Sequence, residues 1–435
     1  MFNKLFAFFQ NRLGYLYNNS LILKNIDSLI LFSILAVFVS SIFAQSDTIG
    51  IFAIISAVLT FIKLLIKKNE KLECNKFELF LLAYFMFVII SLCGSSLFML
   101  SLKGFIKTVI YLGFYLSVVQ YLKTNPNKIW WIIFTIAGCL SYEIFHGLLQ
   151  TVIRPEAIST WQDTSYLNPE EIINRVYGTL KPLNPNLFGG YLVCTIPTLF
   201  AITGYFIYEN KKIPSIIFGI LTLLSMYVLF QTGCRGAYLG LFAVITTSIL
   251  ISAKFFWAKY KNLFINTVGS LIALGSIAVL SVTSLRARIL SIFIMRQDSS
   301  NSFRFNVYNS CIDMFKDNWL LGIGLGNKNF REIYGLYMKT GFDALSAYNI
   351  YLETAVESGI FALITFVCFL GLVIKNAYKY IVNNTNILQI LTVGMAAASI
   401  IGLMIHGFVD TVFFRPQIHF VFWTMVAIIR VQTND

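Results

Sequence analysis

Long runs of apolar residues, separated by short polar connections, are the feature that most constrains the fold of this chain. A helix that crosses a bilayer needs about 20 predominantly apolar residues. Of the 435 residues, 57% are hydrophobic and 12% are charged, whereas a soluble domain carries about 25% charged residues. The runs therefore predict about twelve membrane-spanning helices, and they exclude an ordinary soluble enzyme.

The net charge of +13 is compatible with nucleic-acid binding or with the basic loops of a membrane protein. The N-terminal segment and the short connections on one side of the predicted membrane contain most of the Lys and Arg, including Lys63 and Arg430, which we interpret as loop charges. The short connections on the opposite side contain only Lys103, Lys107, Arg235 and Arg415. Because short basic loops stay in the cytoplasm, we predict that both termini are cytoplasmic, and we expect no nucleic-acid partner.

This pattern predicts an all-α, polytopic membrane protein without internal repeats. Residues 1–25 form a cytoplasmic segment that is compatible with an interfacial helix or with a frayed terminus. Residues 26–430 form a single transmembrane domain that includes two external segments, 147–186 and 285–348. The second is a large loop between spans 9 and 10. Loops of this length are commonly functional, so both segments are candidate sites.

The first external segment contains Arg175 and ends in an Asn-Pro-Asn turn at 184–186. This turn presents amides such as that of Asn186 to a ligand, or it is ordinary turn chemistry. A second signal is Gln-Thr-Gly-Cys-Arg-Gly-Ala at 231–237, which joins two spans with almost no loop. Its glycines allow close approach to a helix start, and a helix N-terminus beside Arg235 suits an anion. The alternative is that Arg235 snorkels to lipid head groups.

In the second external segment, Ser-Ser-Asn-Ser at 299–302 predicts a helix that begins near Phe303. The run Gly-Ile-Gly-Leu-Gly at 322–326 resembles a phosphate cradle, but no strand precedes it, so it is not a dinucleotide fingerprint. We interpret it as a flexible apolar turn at the membrane edge.

Two pairs of ionisable residues fall within spans. Glu353 and Glu357 lie one helical turn apart, and a charged carboxylate inside a membrane costs about 2.5–3.5 kcal/mol. They are therefore predicted to line a polar cavity or to pair with arginine, unless the span begins later and both are solvated. His406 and Asp410, four residues apart, are compatible with an acid–base pair or with a structural hydrogen bond.

In this topology every costly polar group falls on the external side. The set is rich in arginine, with a few carboxylates and many aromatic residues. It suits an anionic, partly lipidic ligand, because a guanidinium binds a diphosphate through two hydrogen bonds. The arginines concerned are Arg175, Arg235, Arg304 and Arg415.

Three runs, in this order, resemble the O-antigen ligase and polymerase superfamily of bacterial envelope proteins. They are Thr-Gly-Cys-Arg-Gly-Ala at 232–237, where the family usually has Ser at position 234, Leu-Leu-Gly-Ile-Gly-Leu-Gly-Asn at 320–327, and Asn-Ile-Tyr-Leu-Glu at 349–353 followed by Glu-Ser-Gly. The resemblance implies a glycosyltransferase of the GT-C kind that needs no metal or other cofactor. It would move a glycan from a polyprenyl-diphosphate carrier to an acceptor glycan or lipid, at the outer face of the bacterial inner membrane.

The same resemblance assigns residues. Arg235 and Arg304 match the family's diphosphate-binding arginines, and the candidate binding set also includes Arg175, Arg415, Asn186 and Asn349. Ligases usually carry His where this chain has Tyr348. An unperturbed tyrosine has a pKa of about 10 and is a poor base at neutral pH. The candidate catalytic residues are therefore Tyr348, Glu353, His406 and Asp410.

Within the superfamily the chain looks most like the cyanobacterial IctB-type proteins, which are described as inorganic-carbon (bicarbonate) transporters. The shared runs are Arg-Val-Tyr at 175–177, Asn-Pro-Asn-Leu at 184–187, Asn-Ser-Phe-Arg at 301–304 and Leu-Ser-Ala-Tyr at 345–348. The alternative function is thus transport of bicarbonate or another small anion. Transporters bind substrate near the bilayer midplane, where this sequence has little charge, but the departure at Tyr348 keeps the alternative open. A third hypothesis is a non-catalytic partner in envelope assembly.

Overall fold

A computed structural model describes residues 2–72, 74–153, 175–281, 286, 290 and 299–433. All the regular elements in these ranges are helical, which confirms the all-α prediction. The predicted external segments 147–186 and 285–348 lie partly outside the described residues. The helices are α1 Phe2–Asn19, α2 Leu21–Lys24, α3 Ile26–Phe43, α4 Ser46–Ile66, α5 Lys76–Gly94, α6 Phe98–Thr124, α7 Ile129–Ile153, α8 Pro185–Tyr208, α9 Lys212–Gln231, α10 Arg235–Ser281, α11 Ser299–Asn318, α12 Asn327–Tyr334, α13 Ile350–Asn383, α14 Ile387–His406 and α15 Pro416–Gln432.

Ten of the described helices are long and apolar enough to cross a membrane, and the protein is a multi-pass membrane protein. They are α3 to α9, the part of α10 up to Trp257, α13 and α14. The prediction was about twelve. The other two apolar runs are residues 264–284, which follow a break in α10 at Tyr260, and α15, which has 17 residues.

The centre of the bundle is formed by α8, α14 and α15. Every residue of α15 from Gln417 to Arg430 is buried. Small residues let the central helices approach closely: a Cβ on Gly402 of α14 would lie 2.5 Å from Val244 of α10, and one on Gly240 would lie 2.9 Å from the Gly402 carbonyl. Such glycine contacts are typical of helix packing in membranes.

The glycine-rich run at 322–326 is packed tightly, so its interpretation as a flexible apolar turn was wrong. Helix α13 is broken at Gly359, which has a φ of +80°. The break leaves carbonyl groups in the turn just before it without donors from within the helix. The backbone N–H groups of Ile323 and Gly324 donate to the carbonyls of Val356 and Glu357, at 2.9 Å each. The run therefore completes the hydrogen bonding of α13.

The segments on both sides of this run form a small satellite core. Helix α11 is already helical at Ser299, its first described residue, four residues before the predicted start near Phe303. Its apolar side packs with α12 against the start of α13, and the buried members of this cluster are Val307, Cys311, Met314, Ile323, Phe330, Tyr334, Ala344, Ala347 and Val356. The satellite core holds Arg304 and Tyr348 over one end of the bundle.

Buried charges also lie at the opposite end of the bundle, so the prediction that all costly polar groups are external was wrong. Arg430 at the end of α15 binds Glu78 at the start of α5, with Nε 3.1 Å from Oε1. Lys63 Nζ lies 2.7 Å from Asp27 Oδ1 and 3.2 Å from Glu70 Oε1. The sequence analysis had counted Lys63 and Arg430 as loop charges, but they are only 1% and 3% exposed.

Candidate functional site

The candidate site lies at the end of the bundle where α8, α10 and α13 begin and where α9 and α14 end. Two asparagines start these helices. Asn184 Oδ1 accepts the N–H of Asn186 at 2.7 Å, and Asn349 Oδ1 accepts the N–H groups of Tyr351 and Leu352 at 2.9 Å each. These are ordinary N-caps, which satisfy the first free amides of a helix.

The turn between α9 and α10 places Arg235 at the first position of α10. Gly233 has a φ of +62°, a conformation that favours glycine. Thr232 Oγ1 accepts the N–H of Cys234 at 3.2 Å. Arg235 is only 8% exposed, so it lies within the protein at a helix N-terminus. This burial does not fit a side chain that snorkels to head groups, and it favours the anion-site interpretation.

Arg175 and Asn186 are bound to each other and to this turn. Arg175 Nε donates to the Thr232 carbonyl at 2.7 Å, and its Nη2 donates to Asn186 Oδ1 at 2.5 Å. The Val176 N–H donates to the Gln231 carbonyl at 3.1 Å. Both predicted binding residues therefore hold the Arg235 turn in place.

Glu143 of α7 also holds the segment from Arg175 to Thr179, which we call the Arg175 strap. Glu143 was not among the predicted site residues. Its Oε2 accepts the Thr179 N–H at 2.9 Å, and its Oε1 accepts the Thr179 hydroxyl. Gln150 Oε1 accepts the N–H groups of Tyr177 and Gly178 at 2.9 and 3.0 Å. The signal for Glu143 was a carboxylate within an apolar span, which requires partners there.

His406 is wedged into the start of α10 and α8. A Cβ on Gly236 would lie 2.6 Å from His406 Cδ2, and one on Gly190 would lie 3.1 Å from Cε1. His406 Nε2 lies 3.7 Å from Cys234 Sγ, and its Nδ1 has no hydrogen-bond partner among the described residues. Cys234 stands at the position where the family usually has Ser, and it contacts the histidine directly.

Asp410 faces Arg304, and no hydrogen bond joins it to His406 in the described part of the chain. Its Oδ1 accepts the N–H groups of Thr411 and Val412 at 2.7 and 3.2 Å. Its Oδ2 is buried without a hydrogen-bond donor and lies 3.9 Å from Arg304 Nη2. The two residues predicted as one pair thus have separate partners.

Tyr348 lies beneath Arg304 in a conformation that is uncommon for tyrosine. Its φ is +50°, and the Arg304 guanidinium carbon lies 6.0 Å from the centre of its ring. Non-glycine residues with positive φ are concentrated at functional sites. Burial raises the pKa of the Tyr348 hydroxyl above its ordinary value of 10, and the charge of Asp410 raises it further.

Glu353 and Glu357 line a cavity, as one interpretation of the sequence predicted. Glu353 Oε2 accepts the Ala347 N–H at 2.9 Å, and Glu357 Oε1 accepts the Gly326 N–H at 2.8 Å. The cavity has a volume of about 90 Å³ and lies between α5, α6, α13 and α15. Neither carboxylate forms an ion pair with an arginine in the described residues, and neither is solvated.

The remaining predicted binding residues are Asn349 and Arg415, and they lie at the edge of the candidate site. Asn349 Nδ2 donates to the Phe408 carbonyl at 3.0 Å, so both ends of its amide are engaged. Arg415 is exposed and directly precedes α15. Within the described ranges, no three His, Cys, Asp or Glu side chains are grouped to hold a metal ion.

The arrangement can bind an anion beside a buried proton acceptor. Arg304 lies at Asp410, and Arg235 directly follows Cys234, which contacts His406. His406 Nδ1 and Asp410 Oδ2 are buried polar atoms without hydrogen-bond partners in the described residues. Buried polar atoms are almost always partnered, so these two mark the place where a further molecule is expected.

Part of the chain is similar to a known protein family. Residues 220–367 match the family model Wzy_C, described as O-Antigen ligase. The chain is also similar to the teichuronic acid biosynthesis protein TuaE of Bacillus subtilis (strain 168), with 24% identity over 328 residues. The similarity covers 72% of this chain and 63% of TuaE. The matched region runs from α9 into α13. It contains Cys234, Arg235, Arg304, Glu353 and Glu357. Part of this multi-pass membrane protein, residues 220–367, is thus similar to the O-Antigen ligase family.

Proposed function

We propose that this protein transfers a glycan from a polyprenyl-diphosphate carrier to an acceptor glycan or lipid. The diphosphate lies between Arg235 and Arg304, at the outer face of the bacterial inner membrane. A single observation carries the proposal: Asp410 Oδ2 is buried without a hydrogen-bond partner in the described residues, and it lies 3.9 Å from Arg304 Nη2. The ligase-type family and its membrane setting support the coarser statement that the protein acts on membrane glycans.

The arginines stabilise the charge that develops during transfer. The bond between the sugar carbon and the diphosphate oxygen breaks, and the electron pair leaves with the diphosphate. Guanidinium groups and the N-terminus of α10 are preorganised donors for that charge, which is commonly the largest contribution to catalysis. The acceptor hydroxyl oxygen forms the new bond to the sugar carbon, and its proton passes to a base on the protein.

Asp410 is the base that the geometry favours among the four predicted catalytic residues. Its free Oδ2 lies at Arg304, within reach of the proposed diphosphate. Burial and the nearby carboxylate raise the pKa of Tyr348, so its hydroxyl stays protonated at neutral pH. Glu353 faces the separate cavity, and His406 is held between Gly236, Gly190 and Cys234. We assign His406 a positioning role.

The test is reconstitution of the purified protein into liposomes that contain lipid-linked glycan and acceptor from the native host. Turnover by the wild type, and its loss in Arg235→Ala and Arg304→Ala, is the expected result. Arg331→Ala is the matched control, because Arg331 is an exposed arginine of α12 that pairs with Asp343. Full turnover by Arg304→Ala would refute the proposed diphosphate site.

The alternative, transport of bicarbonate or another small anion, is tested in the same liposomes. A transport site is expected near the bilayer midplane, whereas Arg235 and Arg304 lie at one end of the bundle. Accumulation of labelled bicarbonate without turnover of lipid-linked glycan would favour transport and overturn the transferase proposal.

A further inference from the structure

The cavity beside α13 is separate from the arginine site and has a different chemistry. Its polar lining includes Glu353 and Glu357 of α13, and Lys107 of α6 lies at its edge. Arg235, Arg304, His406 and Asp410 do not line it. The glycan-transfer proposal therefore leaves this cavity without a role.

The two glutamates are buried next to each other without a counter-charge paired to them in the described residues. They are 2% and 7% exposed, and neither forms an ion pair in the described part of the chain. Each uses one oxygen to accept a backbone N–H, from Ala347 and Gly326 respectively. Two adjacent carboxylates in a low-dielectric environment need a proton or a cation between them. The cavity adjoins both, so a cationic group can reach them.

The walls of the cavity suit an organic cation better than a bare metal ion. They are built largely of aromatic rings, which attract cations over their faces, as the aromatic cages for ammonium groups do. The aromatic residues that line the cavity are Tyr84, Tyr111, Phe366, Phe369, Phe413, Phe414 and Trp423.

Trp423 gives an independent sign of a ligand. It lines the cavity and is 5% exposed, and its Nε1 has no hydrogen-bond partner among the described residues. An indole N–H is only a donor, and a buried donor without an acceptor is costly. The missing partner is therefore an oxygen. Lys107, exposed at the edge of the cavity, provides a positive charge that would meet an anionic group.

We propose that this cavity binds a primary ammonium group carried next to oxygen acceptors, as in an ethanolamine head group. The ammonium lies against Glu353 and Glu357 among the aromatic rings, an ester or hydroxyl oxygen accepts the Trp423 N–H, and a phosphate meets Lys107. The same chemistry is present in two sources, the head group of phosphatidylethanolamine and free ethanolamine. The proposal is independent of the glycan-transfer activity.

The experiment measures thermal unfolding of the full chain in lipid nanodiscs by tryptophan fluorescence. Nanodiscs of phosphatidylglycerol alone are compared with nanodiscs that also contain phosphatidylethanolamine. Free ethanolamine, or sodium chloride at equal ionic strength, is added to the first kind. Because a ligand of the native state stabilises it, phosphatidylethanolamine should raise the unfolding midpoint of the wild type. A rise with free ethanolamine as well shows that the ammonium alone suffices, and a rise with the lipid only shows that the whole head group is required.

Two conservative variants test the assigned contacts. Glu357→Gln removes the charge but keeps an oxygen for the Gly326 N–H, and Trp423→Phe removes only the indole N–H. Each should lose most of the ligand-dependent rise, measured against the ligand-free midpoint of the same variant. Glu332→Gln, an exposed residue of α12, should keep it. The proposal is overturned if the wild type shows no rise with either ligand, if sodium chloride produces the same rise, or if both variants keep it.

Discussion

The two ends of the bundle both bury charge, but they do so in different ways. At the end where α15 finishes, Arg430 Nε lies 3.1 Å from Glu78 Oε1, and Tyr115 donates to the same oxygen at 3.0 Å. At the end where α10 begins, Asp410 Oδ2 has no hydrogen bond in the described residues, and Arg304 is 3.9 Å away. The Glu78–Arg430 contact at hydrogen-bond distance indicates a structural role, whereas the Asp410 oxygen without a donor beside Arg304 indicates a binding site.

The largest effect is expected when the ion pair between Glu78 and Arg430 is broken. Arg430→Ala leaves Glu78 as a buried carboxylate without its counter-charge, which should lower the free energy of unfolding by about 3–5 kcal/mol. Thermal unfolding in detergent measures the loss. The double variant Glu78→Gln with Arg430→Met removes both charges and should regain most of the stability. If Arg430→Ala unfolds like the wild type, the pair does not stabilise the bundle.

The anchor of the Arg175 strap comes next. Glu143→Ala leaves the Thr179 N–H without its acceptor, at a cost of about 1–3 kcal/mol, whereas the Thr179 hydroxyl can still donate to the Ile42 carbonyl. The strap from Arg175 to Thr179 then loosens from α7, so turnover should fall although no substrate contact is removed. Unfolding and turnover measured on the same preparation check this, and turnover equal to that of the wild type would show that the strap does not position the arginine site.

A smaller change sharpens the role of His406. Gly236→Ala adds a Cβ that would lie 2.6 Å from His406 Cδ2 and 2.8 Å from Val409 Cγ2. Because the ring is fully buried, relief requires shifts that cost about 1–3 kcal/mol, and turnover should fall as His406 moves. Gly275→Ala is the control in the same helix, since nothing lies within 4 Å of its new Cβ. A Gly236→Ala protein with wild-type turnover would remove His406 from the site.

The smallest effect is expected at Tyr348. Burial and the neighbouring Asp410 raise the pKa of its hydroxyl, so the group stays protonated through neutral pH and cannot act as the base there. Tyr348→Phe should therefore leave the pH profile of turnover unchanged, with a rate within about tenfold of the wild type. If Tyr348→Phe abolished the part of the pH profile in which turnover rises as the base loses its proton, Tyr348 would be that base.

The sequence predicted the helices more completely than it predicted their contacts. Apolar runs are local patterns, so the membrane helices followed directly. The Glu78–Arg430 pair joins residues 352 positions apart, and no local pattern encodes that distance. For this reason Arg430 was interpreted as a loop charge, although it lies in the core.

In the candidate site, too, local sequence patterns could be interpreted from the sequence, whereas contacts between distant segments could not. Arg235 and Arg304 were identified from local runs, and the cavity beside Glu353 and Glu357 followed from their spacing. The docking of the glycine-rich run onto α13 could not be predicted, because it depends on carbonyl groups exposed by the break at Gly359. The separation of His406 from Asp410 likewise depends on how the chain turns after α14.

Binding of a polyprenyl diphosphate without its glycan tests the central claim most directly. The ligand should raise the thermal unfolding midpoint of the wild type, and it should not raise that of Arg304→Ala. The variant Glu78→Gln with Arg430→Met should keep the full rise, because the Glu78–Arg430 pair lies at the opposite end of the bundle from the proposed diphosphate site. An equal rise in Arg304→Ala, or a rise lost only when the Glu78–Arg430 pair is replaced, would contradict the account.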